Sequence, residues 1–450
     1  MASRGAPNTN DAGLDGPHFA DPFGRLDLPR TVSLSMLGTF VVLGCFFLSW
    51  QLFRVPEQNF TVSDGAFLAA LAIMLFTGRA TTALFGRFTA FWLLGIILLL
   101  AGLLLGSIVS DQAMRWGLVA SQYLIALMIL PMLFFSLRRE DLDRAAMAFV
   151  YGVAVSQVIG ILALKFVGYH ALTPYVGRTI VLGNDRVGAM TAEPNSNGAV
   201  CVFALIILAH ALMERRANPL RVAIAGGIII AGMVFSASAT SFLALAVAAL
   251  VLILVSWQVK LMFAGMVVVL GAIFYIGAGG ALPEVFVQRV AEAMVNLDLT
   301  QAGTFEGRLT LIGEAWRNAD ANLFVGLGVD RYREISLHGA PVHNLWLLAL
   351  NEGGILAFAG IFLLVVCLFA SAASIGLRDR VGAAVCFATL AVLLIYTMSL
   401  PHMYGRNWFG PPLLIFAMAM VPRLLASPGL HIHLPGGPQR AIAPIAGHAP

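Results

Sequence analysis

The chain is poor in charge and in cysteine for its length. Of its 450 residues, 11% are charged and four are cysteine. A soluble domain carries about 25% charged residues, so this composition excludes an ordinary water-soluble protein. The cysteines fall in or beside apolar stretches and are too far apart for a metal motif, which indicates small packing residues. They are Cys45, Cys201, Cys367 and Cys386.

The chain also lacks the common signatures of soluble catalysis and of secretion. It has no Walker motif, no Cys/His cluster with metal-ligand spacing and no arrangement that favours a Ser-His-Asp triad. We therefore predict neither a metal site nor a cofactor, and no nucleic-acid partner. The first 30 residues have no apolar core of the signal-peptide type, so we predict that they remain as a polar tail.

Long apolar stretches dominate the rest of the chain, in which 59% of all residues are hydrophobic. A helix that crosses a bilayer needs about 20 mostly apolar residues. The pattern predicts an all-α polytopic membrane protein with about 12 transmembrane helices embedded in a lipid bilayer. The predicted spans are 31–53, 62–77, 88–108, 116–136, 145–167, 195–213, 220–236, 239–257, 260–277, 343–371, 380–399 and 407–425.

The distribution of lysine and arginine predicts the orientation of these spans. One set of loops, together with both tails, holds 16 of the 27 basic residues. Basic residues favour the cytoplasmic side, so both termini are predicted to be cytoplasmic. The membrane domain is assigned to 31–425, and the tails at 1–30 and 426–450 are predicted to be disordered.

The longest polar gap, 278–342, is predicted to lie on the outer face. It carries eight carboxylates against five arginines, so it is no general anion-binding surface and any anion must be bound by individually placed arginines. Apolar residues recur at helical spacing from Pro283 and again from Glu306, which predicts amphipathic helices. The arginines are Arg289, Arg308, Arg317, Arg331 and Arg333.

A second candidate anion site precedes the sixth span. Pro194 and Asn195 make a favourable start for that helix, and Arg186 stands about ten residues before the start. A helix N-terminus with an arginine folded over it can bind an anion, because the helix dipole and the guanidinium act in the same direction.

Polar residues also mark the start of the tenth span. His343 and Asn344 are predicted in its first turn, where the helix dipole favours a neutral imidazole that can act as a general base. The alternative is a histidine that only caps the helix or lies at the membrane interface. Further in, Glu352 is a costly carboxylate within a membrane helix and therefore a functional candidate. Gly353 and Gly354 beside it permit a kink or close helix packing.

Taken in order, these stretches resemble the O-antigen ligase and polymerase superfamily of bacterial envelope glycosyltransferases. The resemblance covers about 186–365. It rests on Arg186-Val187-Gly188 with Glu193-Pro194-Asn195, the Phe235–Thr240 hairpin, Gly307-Arg308 through Trp316 to Gly326-Leu327-Gly328, and His343-Asn344-Leu345-Trp346 through Glu352-Gly353-Gly354.

The resemblance implies a metal-independent, inverting glycosyltransferase of the bacterial inner membrane with its active site facing the periplasm. The donor would be an oligosaccharide on undecaprenyl diphosphate. The acceptor would be a carbohydrate, either another lipid-linked repeat (polymerase) or lipid A-core (ligase). Arg308 and His343 match the family's loop arginine and histidine and are the predicted catalytic residues. The predicted diphosphate or sugar contacts are Arg186, Asn344, Asn195, Arg289 and Glu352.

The chain departs from the ligase pattern at one position. Ligases carry Thr-x-x-Arg at the hairpin after the seventh span, whereas this chain has Ser236-Ala237-Ser238-Ala239, so Ala239 stands at the arginine position. Arg186 as its replacement is a hypothesis. The departure favours a polymerase of surface or exopolysaccharide over a ligase. A flippase for lipid-linked sugars is a third alternative, although the nearly charge-free spans favour an enzyme.

Overall fold

A computed structural model describes residues 30–426 apart from 56–58, 169–179, 183, 215–216, 292–304, 402 and most of 259–281. The predicted tails therefore lie almost entirely outside the described residues. The same holds for the predicted ninth span, 260–277, and for the later part of the helical pattern that begins at Pro283.

Helices account for nearly all of the regular structure in the described residues. The strands β1 and β2, Arg54–Val55 and Phe60–Thr61, form a small antiparallel hairpin. In chain order the longer helices are α1 (Arg30–Phe46), α2 (Val62–Phe76), α3 (Thr89–Val109), α4 (Ala113–Phe135, with a π turn at Ile125–Ile129), α5 (Arg139–Phe166), α6 (Pro194–Met213), α7 (Pro219–Ser236), α8 (Ala239–Ser256), α9 (Phe305–Ala319), α10 (Leu345–Gly376), α11 (Arg380–Thr397) and α12 (Arg406–Ala426).

Eight of these helices, α3 to α8 with α10 and α11, are long and apolar enough to cross a membrane. The described part of the chain is therefore that of an all-α, multi-pass membrane protein. The predicted spans at 31–53, 62–77 and 407–425 correspond to α1, α2 and α12, which are not among the eight. The count of twelve spans stays a prediction.

Capping residues determine where several of the helices begin. Pro194 and Pro219 occupy the first positions of α6 and α7, where a backbone N–H has no partner within the helix. Before them, the side chains of Glu193 and Asn218 accept backbone N–H groups of the first turn. The tight α7–α8 connection passes through Ala237 in the left-handed conformation, as the predicted hairpin requires.

The packing of α10 against α3 is close because small residues face one another. A Cβ atom at Gly102 would lie 2.5 Å from the carbonyl oxygen of Gly353, so only glycine fits there. One turn of α10 is also broken, since Gly354 has φ 65° and ψ −165°. The glycine pair thus provides both the close approach and the kink that the sequence allowed.

Candidate functional site

The break in α10 anchors the polar loop that follows α9. The carbonyl groups of Asn351 and Glu352 accept hydrogen bonds from the backbone N–H groups of Leu327 (2.8 Å) and Gly328 (2.9 Å). The N–H of Ile355 donates to the carbonyl of Leu323 at 2.7 Å. In a continuous helix, these carbonyl and N–H groups would bond to one another. Because α10 is broken here, they bond to the loop instead and hold it against the membrane helices.

The helix α9 is fastened to the same part of α10. The amide of Asn351 donates to the carbonyl oxygen of Ala315 at 3.0 Å, and Ala315 is fully buried. Leu309 and Trp316 of α9 are exposed. The helix predicted from Glu306 is therefore present as α9, which carries Arg308 in its first turn.

A second group of residues is organised around the start of α6. Glu193 caps this helix, with its carboxylate accepting from the N–H groups of Asn195 (3.0 Å) and Ser196 (2.5 Å). The side-chain oxygen of Asn195 accepts from Arg186 Nη2 (3.2 Å) and from Ser238 Oγ (2.9 Å). These bonds tie the loop before α6 to the α7–α8 hairpin.

Arg186 reaches the hairpin directly as well. Its Nε donates to the carbonyl oxygen of Ser236 at 2.9 Å, and the N–H of Val187 donates to the carbonyl oxygen of Phe235 at 3.0 Å. Arg186 is 7% exposed. Its guanidinium group therefore lies against the hairpin that carries Ala239.

These elements enclose a cavity of about 590 Å³, which we call the Arg308 cavity. Five of the seven predicted site residues line it, although they are spread over more than 150 positions of the chain. The lining consists of Asn184, Arg186, Asn195, Arg289, Gly307, Arg308, Thr310, Leu311, His338 and His343.

The Arg308 cavity has an excess of positive charge. Among the described residues, neither Arg186 nor Arg308 forms an ion pair with a carboxylate, and Arg308 Nε is buried without a hydrogen-bond partner. Burial and then the charge of Arg289 lower the pKa of Arg186 to about 10, partly offset by Glu193. Burial also lowers the pKa of Arg308. A guanidinium with a pKa of about 10 is still charged at neutral pH, so the cavity favours an anion.

His343 lies at the wall of this cavity in a half-buried position. Burial, and secondly the charge of Arg308, lower its pKa, while Glu193 acts in the opposite direction. Its Nδ1 is buried and has no hydrogen-bond partner among the described residues. A neutral imidazole with such a nitrogen can accept a proton.

The predicted position of His343 in the first helical turn was wrong by two residues. The helix α10 begins at Leu345, because the side chain of Asn344 caps it by accepting the N–H of Leu347 at 3.1 Å. His343 therefore precedes the helix. Burial and the charge of Arg308 lower its pKa.

The structure does not bring Asn344 and Glu352 into the Arg308 cavity. Asn344 is buried, and besides capping α10 its amide donates to Met398 Sδ at 3.7 Å. Glu352 is 4% exposed, and its carbonyl belongs to the anchor of the polar loop. The contacts of Asn344 therefore indicate a structural role. Glu352 lines a small separate cavity, which Tyr404 also lines.

Sequence reasoning did not single out two residues of the site. His338 lines the Arg308 cavity, and its only signal was its place in the same polar loop five residues before His343. Glu193 was noted within a motif but not as a group of the site, although its charge acts on Arg186, Arg308 and His343. A glutamate before Pro194 is a recognisable helix-capping signal.

Across the described residues, no group of three or more His, Cys, Asp or Glu side chains could hold a metal ion. Comparison of the sequence with protein-family models and with curated proteins finds no match. The geometry of the Arg308 cavity and the motifs of the sequence are therefore the basis for assigning a function.

Proposed function

We propose that this protein is a glycosyltransferase of the bacterial inner membrane, with twelve spans, both termini in the cytoplasm and the Arg308 cavity facing the periplasm. It transfers a glycan from undecaprenyl diphosphate to a hydroxyl group of a carbohydrate acceptor. The observation that carries the proposal is the cavity, which is lined by three arginines and a half-buried histidine with a lowered pKa.

The donor's diphosphate binds to Arg308, Arg289 and Arg186. A guanidinium group can meet two phosphate oxygens at once, and the cavity holds Arg186 and Arg308 without a paired carboxylate among the described residues. These charges stabilise the negative charge that develops on the diphosphate as the glycosidic bond breaks. The leaving group is already a stable anion, so the two-carboxylate arrangement of a glycosidase is unnecessary.

His343 acts as the general base. The acceptor hydroxyl oxygen attacks the anomeric carbon from the face opposite the diphosphate, and a new carbon–oxygen bond forms with inversion. The bond to the diphosphate oxygen breaks, and its electron pair leaves with undecaprenyl diphosphate. The hydroxyl proton passes to neutral His343, which later returns it to water.

Arg186 takes the place of the arginine that ligases carry at the hairpin. Its hydrogen bonds to the carbonyl oxygen of Ser236 and to Asn195, which also binds Ser238, support this replacement. Ala239 at the usual arginine position favours a polymerase, so the acceptor is another lipid-linked repeat unit. The alternative is a ligase that joins the glycan to lipid A-core.

A deletion strain tests these alternatives. For a polymerase, single repeat units accumulate on undecaprenyl diphosphate, whereas a ligase defect leaves long chains on the lipid and bare lipid A-core. Unchanged surface and lipid-linked glycans would contradict both. Complementation with the wild-type gene restores the polymer, while His343→Ala at the same protein level does not; normal polymer from that variant would overturn the site assignment.

A further inference from the structure

A second cavity, of about 400 Å³, opens on the other side of Glu193. It draws on elements far apart in the sequence: the β1–β2 hairpin, the start of α4 and the start of α12. We call it the Arg406 cavity. The lining residues that bear on its chemistry are Arg54, Arg115, Glu193, Tyr404, Arg406 and Trp408.

Two of its three arginines are held by carboxylates. Arg406 is 1% exposed, is ion-paired with Asp64, and donates to the carbonyl oxygen of Asn59 at 2.6 Å. Arg115 is ion-paired with Asp330 at 2.5 Å. Glu193 also lines the cavity, so three carboxylates and three guanidinium groups lie in and around it.

Unused hydrogen-bond donors remain despite this balance. The Nε atoms of Arg406 and Arg54 are buried and have no hydrogen-bond partner among the described residues. Buried donors of this kind are costly unless a ligand or water satisfies them. Amide side chains of Gln51 and Gln122 line the same space, next to the rings of Tyr404 and Trp408.

This combination fits a sugar better than a phosphate. Guanidinium and amide groups fixed by other side chains can bond to several hydroxyl groups, and aromatic rings can cover the apolar face of a pyranose. A diphosphate would need net positive charge, which the paired arginines do not offer. The cavity is therefore suited to a neutral polyhydroxyl ligand.

The two cavities meet at the start of α6. Glu193 lines the Arg406 cavity, whereas Asn195, two residues on, lines the Arg308 cavity. The charge of Glu193 also acts on Arg186, Arg308 and His343, so it lies within electrostatic reach of the Arg308 cavity. The first residues of α6 therefore border both cavities.

We propose that the Arg406 cavity binds the acceptor oligosaccharide, an inference that rests on the proposed glycosyl transfer. Arg54 and Gln51 hold sugar units behind the reacting end. The terminal hydroxyl passes Glu193, attacks the anomeric carbon of the donor, and gives its proton to His343 as the bond to the diphosphate breaks. The diphosphate of the donor stays in the Arg308 cavity.

Separate titration of the two substrates tests this assignment. The full-length protein in liposomes receives lipid-linked oligosaccharide from the producing strain as donor. Since this lipid can also act as acceptor, only water-soluble products formed on the free oligosaccharide are counted, and the donor KM is measured at saturating free oligosaccharide. The same oligosaccharide, released from its lipid by mild acid, serves as acceptor. For Arg54→Gln, the KM for the free oligosaccharide is expected to rise about tenfold, since a bond to a charged donor is lost. The donor KM and kcat stay within about twofold of the wild type.

Gln51→Leu is a second variant, in case Arg54→Gln folds poorly, and it should raise the acceptor KM in the same way. Arg331→Gln is the matched control, because Arg331 is a partly exposed arginine that pairs with Glu334 and lines neither cavity. A rise in donor KM, or an unchanged acceptor KM in both variants, overturns the acceptor site while leaving the glycosyltransferase intact. Absence of any transfer by the wild type overturns the proposed function itself.

Discussion

The two cavities on either side of Glu193 use the same residue type in different ways. In the Arg308 cavity, the hydrogen bonds of Arg186 go to the neutral oxygens of Ser236 and Asn195. In the Arg406 cavity, Arg406 and Arg115 are paired with Asp64 and Asp330. A guanidinium group without a paired carboxylate attracts an anion. A guanidinium group that is paired with a carboxylate is held in one position, and it can bind a ligand only through its remaining hydrogen-bond donors.

The largest effect is expected when the charge of Arg308 is removed from its cavity. In reconstituted transfer, Arg308→Ala should lower kcat by about 10²–10³-fold, because the developing charge on the diphosphate loses a preorganised partner. Arg308→Lys should recover part of the rate, since it restores the charge but not the two-point contact. Arg331→Gln, at a partly exposed arginine outside both cavities, should keep the wild-type rate. A kcat near wild type for Arg308→Ala would refute the diphosphate assignment.

The second test removes a carboxylate from the paired side. Asp64 also accepts from the N–H (2.7 Å) and hydroxyl (2.8 Å) of Thr61, so it is tied to Arg406 and to the start of α2. Asp64→Asn leaves the buried guanidinium without its counter-charge, which should cost about 3–5 kcal/mol. Thermal unfolding of the detergent-solubilised protein should show a lower midpoint. Arg406→Met combined with Asp64→Asn should restore part of the loss, and an unchanged midpoint for the single variant would show that the pair is not structural.

The third test measures how the rate depends on pH, which reports the protonation of His343. Since its folded pKa lies below the usual 6.5, the neutral base is present above that lowered pKa and is lost as the pH falls through it. The ratio kcat/KM should therefore be constant near neutral pH and fall about tenfold per unit on the acidic side. In Arg308→Gln the acidic limb should move to higher pH, because one cause of the lowered pKa is removed. An acidic limb that stays in place in this variant would mean that another group titrates.

Local patterns predicted much of the fold and part of the site. The periodicity from Leu309 to Trp316 predicted α9, and the Pro194 start predicted α6, because helix amphipathicity and capping are readable within a few residues. Arg308 and His343 could be proposed together because Arg308 lies in the polar loop and His343 follows it directly. The two-residue error at His343 arose because Asn344 caps α10.

The Arg406 cavity could not be predicted in this way. Arg54 lies in β1, Arg115 in the first turn of α4 and Arg406 at the start of α12, and each one alone resembles a basic residue at the end of a membrane helix. Asp64 lay inside a predicted span, and its partner is 342 positions away in the chain. Only packing of the helices brings these residues together, and one sequence carries no record of such distant contacts.

The most direct test of the glycosyl-transfer proposal is turnover by the purified protein in liposomes. Wild-type protein given radiolabelled lipid-linked oligosaccharide should form longer glycans and release undecaprenyl diphosphate. His343→Gln should bind the donor equally well but transfer about 10²–10⁴-fold more slowly, because it lacks the base. Wild-type rates from His343→Gln would contradict the assignment of His343 as base, and no transfer by the wild type would contradict the proposed activity.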